Sequence, residues 1–297
     1  TPPQYFYMYD QDAIPEASNL FRAIGAPDFA FDDSREIRAR YSMMPPLGEP
    51  FTQSLRRALK HGYYAATSFV DAQIGRVLSE LARLGLEENT LVVLVGDHGW
   101  HLGEQDEWGK HTNFELGTRV PLIIRAPGQA ANQTSKAIVE LVDLYPTISE
   151  LAGLPAPDSQ QHGGYPLEGE SFAGSVANPN LQSRRGAISQ WRRGGYVGYS
   201  IRTDQYRYTE WVAPGNPAVY ELYDHLLDPA ETVNVVADPE YAPVVPALKA
   251  ALAAGGQQDL PLDLLPEVRS SVYTVSPCRL VDTRNADPRL SKFSGDG

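Results

Sequence analysis

One cysteine, Cys278, is all that 297 residues contain. A single thiol excludes any intrachain disulfide, so stability must come from a packed core, which a chain of this length can build. Long apolar runs are missing as well. Strictly apolar stretches reach only a few residues, far short of the roughly 20 that a membrane-spanning helix needs. Positive charge is scarce: 25 Lys and Arg stand against 37 Asp and Glu, a net charge of −12. That balance argues against a broad surface for nucleic acid or for an anionic membrane. Internal repeats and low-complexity tracts are absent, and the sequence opens at Thr1 with no initiator Met or leader-like segment, which leaves the compartment open.

What is present is an ordinary globular composition, 42% hydrophobic and 21% charged. At about 150 residues per domain the length suggests roughly two domains. Residues 1–50 are rich in Pro, aromatic and acidic residues and read as irregular loop with short turns. From Thr52 the spacing changes. Leu55, Leu59, Tyr63, Ala66, Val70, Ile74, Val77, Leu81 and Leu84 recur every three or four positions, predicting an amphipathic helix with one buried face. Thr52 is its expected N-cap and Gly85 its stop.

The run Leu-Val-Val-Leu-Val at 91–95 predicts a fully buried strand of a parallel sheet. Asp97 and His98 then fall at its carboxyl end, where open α/β sheets place ligands. A second buried strand is expected at 120–125, and a helix from about Ser135 or Leu141 to Ala152, stopped by Gly153 and Pro155. Beyond residue 178 the runs 187–191, 196–202, 206–212 and 220–223 are short and aromatic-rich, separated by turn signals such as Arg193-Gly194-Gly195. They predict an antiparallel meander, covered by a helix at roughly 243–254. The chain divides on this reading into 1–178, 179–255 and 256–297, the last part being linker-like.

Chemistry concentrates between residues 96 and 111. A carboxylate beside an imidazole is suited to holding a cation, and Lys110, 13 positions after Asp97, can bring an ammonium to an anion held there. Gly99, Gly103 and Gly109 make the intervening loop pliable on this reading. His101 and His111 flank it as candidate substrate-contacting proton donors. Trp100 and Trp108 are candidate sugar-stacking rings, although packing onto the core is the better reading of both. Six arginines between 181 and 211 (184, 185, 192, 193, 202, 207) face only Asp204 and Glu210, either as a solvated sheet face or as a rim attracting an anion. Asp143 lies on a helix rather than at a strand end and reads as structural.

The pattern Gly-Asp-His-Gly-Trp at 96–100, Leu-Gly-Glu at 102–104 and Trp-Gly-Lys at 108–110, followed by Arg-Val-Pro-Leu-Ile-Ile at 119–124, resembles the sulfatase branch of the alkaline-phosphatase superfamily. Its iduronate-2-sulfatase-like members are the most similar. Val-Asp-Leu-Tyr-Pro-Thr-Ile at 142–148 and Glu-Leu-Tyr-Asp-His-Leu-Leu-Asp-Pro at 221–229 extend the likeness. The resemblance implies the later part of an α/β domain, with an alkaline-phosphatase-like mixed or parallel sheet flanked by helices, plus a small C-terminal antiparallel sheet with a helix. It implies hydrolysis of a sulfate ester on a sugar such as a 2-O-sulfated uronate, with Ca²⁺ lined by Asp97 and His98 and the sulfate contacted by Lys110; the acidic net charge argues for engaging one terminal unit rather than the length of a polyanion.

The early Cys-x-Pro-x-Arg or Ser-x-Pro-x-Arg segment that supplies the family's formylglycine nucleophile does not occur in this sequence. The chain alone is therefore expected to be inactive, and a missing N-terminal half of the same enzyme is an expected partner. Two other readings stand beside this one. A metal-dependent phosphodiesterase or phosphonate hydrolase of the same superfamily would recruit His162 and His225 as further ligands. A glycan-binding remnant would keep the fold without the chemistry. Val-Ser-Pro-Cys-Arg-Leu-Val-Asp-Thr-Arg at 275–284 resembles the opening of a β-rich module of secreted bacterial proteins, which favours a secreted or periplasmic location.

Overall fold

The Thr52 hydroxyl accepts the Leu55 amide at 3.3 Å, capping the longest helix as its sequence position demands. The computed structural model describes residues 1–155, 167–182 and 184–255. His162, Cys278 and the 256–297 segment lie outside the described residues. The N-terminal stretch carries two short helices, α1 (Pro3–Phe6) and α2 (Arg35–Arg40), the second of which the loop reading of 1–50 missed. The long helix, α3 (Gln53–Arg83), ends at Gly85, whose φ of +68° reverses the chain.

The next elements are β1 (Val92–Val95), β2 (His101–Leu102), β3 (Trp108–Gly109), α4 (Glu115–Thr118) and β4 (Leu122–Arg125). Then come α5 (Leu144–Leu151) and α6 (Ala173–Ala177). A four-stranded sheet closes the fold. It comprises β5 (Gly186–Arg193), β6 (Tyr196–Thr203), β7 (Tyr206–Val212) and β8 (Val219–Asp224), antiparallel throughout in sequential order, with α7 (Val245–Ala253) against it. The α/β class and the small antiparallel sheet with its helix are therefore those expected.

Two expectations are corrected. First, β1 pairs with β4 in antiparallel register, Val92 opposite Arg125 and Val95 opposite Leu122, rather than in a parallel ladder. A short apolar run carries no directional information, so periodicity cannot distinguish the two. Nor is the strand fully buried: Val95 is 39% exposed and Ile123 on its partner 53%. Second, the apolar face of α3 is covered only at its N-terminal half. There α1 and the following turn pack Tyr5 on Phe69, Phe6 on His61 and Tyr9 on Tyr64, each edge to face. Further along, Val70, Val77 and Leu84 stand in solvent among the described residues.

Among the described residues, two core clusters sit around the small sheet and a third joins Ile37, Phe51 and Trp108 to Leu55 and Leu59 of α3. One cluster packs Ile201, Tyr206, Tyr208 and Leu222 against Leu248 of the covering helix and Val244 just before it. On the opposite side, Trp211 and Tyr223 meet Phe31, Ala23, Ala30 and Phe114, so the N-terminal strap of residues 19–34 is part of that core. The strap is pinned by a parallel bridge between Ile24 and Val233 and by the stacked rings of Phe29 and Tyr196, 4.1 Å apart. Held in this way, it carries the start of α2 up to the loop bearing Lys110.

Candidate active site

Gly96 ends β1 and the chain turns sharply through Asp97, His98 and Gly99. Gly99 lies so close to α4 that a Cβ there would meet the Leu116 carbonyl oxygen at 2.0 Å. Its amide donates to the Gly117 carbonyl at 3.1 Å. Gly99 is thus required for close approach, while Gly103, at φ +107°, starts the turn of the β2–β3 hairpin and Gly109, at φ +153°, lies in β3 opposite His101.

Asp97 projects outward with its side chain 90% exposed, and its Oδ2 lies 3.6 Å from Nε2 of His98. The other imidazole nitrogen, Nδ1, lies 2.9 Å from the carbonyl of Gly99. A carbonyl only accepts, so Nδ1 carries the proton and Nε2 faces Asp97 with its lone pair free. The His98 ring lies 6.2 Å from Trp100, and the Lys110 ammonium stands 5.6 Å over that same indole. Asp97, His98, Trp100 and Lys110 therefore form one continuous line of contacts.

Lys110 and His111 are both partly exposed and both meet carboxylates. Lys110 Nζ is 3.2 Å from Glu36. His111 lies flat on Trp191 of β5, ring centroids 4.8 Å apart and planes within 4°. Its nitrogens face Asp32 at 4.0 Å and Glu36 at 3.9 Å. None of these acidic partners was legible beforehand, because the strap that carries them is remote in sequence and without periodicity.

His101 is corrected. It is fully buried, with Nε2 2.9 Å from the Thr112 hydroxyl and its ring edge-on to Phe114. Burial pushes its pKa down. It supports the Lys110 loop from beneath and has no surface on which to touch a substrate. Trp108 is likewise a core residue, beside Ile37 and Phe51.

The arginine-rich segment is mostly consumed by acids. Arg193 pairs with Asp32 at 2.8 Å and with Asp33. Arg184 grips Asp143 with two nitrogens, at 2.9 and 2.7 Å, which makes Asp143 the structural residue expected. Arg207 is fully buried between Glu115 at 2.6 Å and Glu231 at 2.5 Å, and Arg202 also reaches Glu115. The rim reading therefore fails for Arg184, Arg193, Arg202 and Arg207.

That last cluster also contains His225, whose Nε2 lies 2.9 Å from Glu231, and the ligand atoms of Glu115, His225 and Glu231 stand within 4.8 Å of one another. It is not a cation site in this arrangement, because the Arg207 guanidinium already supplies the positive charge between the carboxylates. His225 is thus spoken for, and the ligand role that a zinc phosphodiesterase would give it has no support.

The family model described as Sulfatase matches residues 9–154, and the one described as N-sulphoglucosamine sulphohydrolase, C-terminal, matches residues 96–258. The chain belongs to the sulfatase family. Mouse iduronate 2-sulfatase is 28% identical over an alignment covering 84% of this chain and 57% of that protein. The chain spans about half the length of the curated relatives it matches. Among solved structures, a protein in complex with its substrate D-glucosamine-2-N,6-O-disulfate superposes with a TM-score of 0.70 at 24% identity, covering 85% of this chain and 61% of that one. A phosphonate monoester hydrolase from Silicibacter pomeroyi gives 0.68 at 24% identity, covering 85% and 52%. These two likenesses establish the fold.

Proposed function

We propose that this chain supplies one side of a sulfuric ester hydrolase site acting on a sulfated sugar, such as a 2-O-sulfated uronate. The observation that carries this reading is the unbroken line from Asp97 through His98 and Trp100 to Lys110. A carboxylate and an imidazole nitrogen at one end suit a divalent cation, and the ammonium at the other suits an anion bound against it.

The donor set fits part of a Ca²⁺ shell. Asp97 offers a hard, solvent-facing oxygen, and His98 leaves Nε2 available because its Nδ1–H donates to the Gly99 carbonyl. Two ligands fall short of the six or more oxygens that Ca²⁺ takes, so the residues present hold it only in part. When bound, the ion polarises the sulfuryl oxygens. Lys110 then neutralises a second oxygen of the ester, and His111, beside it, contacts the sugar. Hydrolysis also needs an attacking group. With no Cys-x-Pro-x-Arg or Ser-x-Pro-x-Arg segment among its 297 residues, the chain by itself is proposed to be inactive.

The decisive experiment incubates the purified chain with Ca²⁺ and p-nitrophenyl sulfate or a 2-O-sulfated disaccharide, while calorimetry follows binding. Sulfate-ester binding that needs Ca²⁺ and is lost in Asp97→Asn and Lys110→Met supports the proposal, with no turnover expected. Turnover abolished by Asp97→Asn would overturn the inactivity. The phosphonate hydrolase neighbour keeps a second reading in view, which tighter binding of a phosphonate monoester with Zn²⁺ or Mn²⁺ would favour.

A further inference from the structure

Glu36 occupies an unusual position for a carboxylate. Lys110 Nζ lies 3.2 Å from each of its oxygens, and Oε2, buried and without a hydrogen-bond donor, also lies 3.9 Å from His111 Nε2. One side chain on the first turns of α2 therefore faces two consecutive cation-forming residues of the Lys110 loop. It is brought there by the strap, through the left-handed pair Asp33 and Ser34, whose amides are held by the buried Glu107 carboxylate at 2.8 and 2.9 Å.

We infer that Glu36 is a positioning residue. In the absence of ligand it serves as the counter-ion of Lys110, and it yields that lysine to an incoming sulfate-type anion while His111 stays beside it. The inference rests on the anion-contacting role of Lys110 proposed above. Glu36 is one-third exposed, so when Lys110 turns toward an anion the carboxylate is solvated by water and still has His111 Nε2 3.9 Å away. Asp32, 4.0 Å from the opposite nitrogen, keeps His111 from following, and Trp191 fixes its plane. The arrangement holds the ammonium ready on the side of Trp100 and makes the anion compete for it. Lys110 and Glu36 are 24% and 33% exposed, so their attraction is partly screened and of a size that an anion can overcome.

The test titrates inorganic sulfate at constant ionic strength, with Ca²⁺, into the wild-type chain, Glu36→Gln, Glu36→Asp and Lys110→Met. Binding is followed by calorimetry and by NMR of the lysine ammonium, with thermal melting to confirm folding. Removing the competing carboxylate is expected to tighten sulfate binding about two- to five-fold in Glu36→Gln. Glu36→Asp should stay within that interval of wild type, and Lys110→Met should abolish binding. A merely structural role for Glu36 would weaken binding or leave it alone. Binding that Lys110→Met abolishes but Glu36→Gln leaves unchanged or weakens overturns this inference only. Sulfate binding insensitive to Lys110, or none in any protein, overturns the role of Lys110 as well.

Discussion

Gly99 and Gly117 lock the end of β1 to α4: the amide of the first donates to the carbonyl of the second at 3.1 Å, with no room for a side chain on either. A Cβ on Gly117 would meet the Thr112 hydroxyl at 2.7 Å, and one on Gly99 would strike backbone. The position of Asp97 relative to Lys110 is therefore set by two missing methyl groups. Gly99→Ala should destabilise the chain by about 1–3 kcal/mol, the usual range for overpacking, and should weaken Ca²⁺-dependent sulfate-ester binding. Unchanged melting and binding would show that the two segments are not tightly coupled.

Gly75 offers the opposite case. It lies in the exposed interior of α3 with open space around its Cα. Gly75→Ala should stabilise by about 0.5–1 kcal/mol through reduced chain entropy and better helix propensity, read as a higher urea midpoint at constant slope.

Asp143 and Arg184 are 1% and 3% exposed, and the guanidinium is shared with Glu140 at 2.6 Å. Asp143→Ala leaves a buried arginine short of one carboxylate and should cost about 3–5 kcal/mol. Urea denaturation would read this directly. A loss under 1 kcal/mol would mean that water or Glu140 replaces the missing partner.

Asp97 predicts a separation of function from stability. With 90% of its side chain in solvent, Asp97→Asn should move the melting midpoint little, within about 0.5 kcal/mol, as surface changes do. Ca²⁺ affinity should fall sharply in the same protein. Loss of both together would point to a structural rather than a ligand role.

Two buried glutamates should shape stability against pH in opposite ways. Burial pushes the Glu231 carboxyl up, but Arg207 and then His225 outweigh it and hold it at about 2. Its stabilisation is complete above the ordinary glutamate range and is lost as pH falls toward 2. Glu221 has its carboxyl raised to about 7 by burial, only partly offset by hydrogen bonds from Tyr223 and Trp211. The folded state then holds a proton that the unfolded state has released, so stability declines between the ordinary range and about 7. Glu107, also at about 7 through burial, adds to that decline. In Glu221→Gln the fall in melting temperature from about pH 5 to 8 should be shallower than in wild type. Equal slopes would remove Glu221 from the account.

Much of this was legible in the residues themselves. Thr52 and Gly85 marked both ends of α3 because caps are local chemistry, and the four strands of the small sheet were bounded by turn residues that act over a few positions. The Asp97–His98 and Lys110 stretches stood out for the same reason. Strand direction was not legible, since Val92–Val95 would look identical in either ladder. Burial of His101 was hidden too, because an imidazole beneath a loop and one on its rim share the same sequence spacing. Glu36 and Asp32 carry no local signal. Their role depends on a contact with residues about 75 positions away, made through a strap whose path no periodicity records.

That strap has a consequence for anyone recombining relatives of this protein. Phe29 stacks on Tyr196, Ile24 bridges to Val233, and Trp191 carries His111, so the last third of the described fold and the first forty residues form one interlocked unit. A chimera that exchanges the small sheet without its matching N-terminal arm would inherit a lysine loop with a foreign neighbour on either flank. Grafting the two together is the transplant with a chance of keeping the loop in shape.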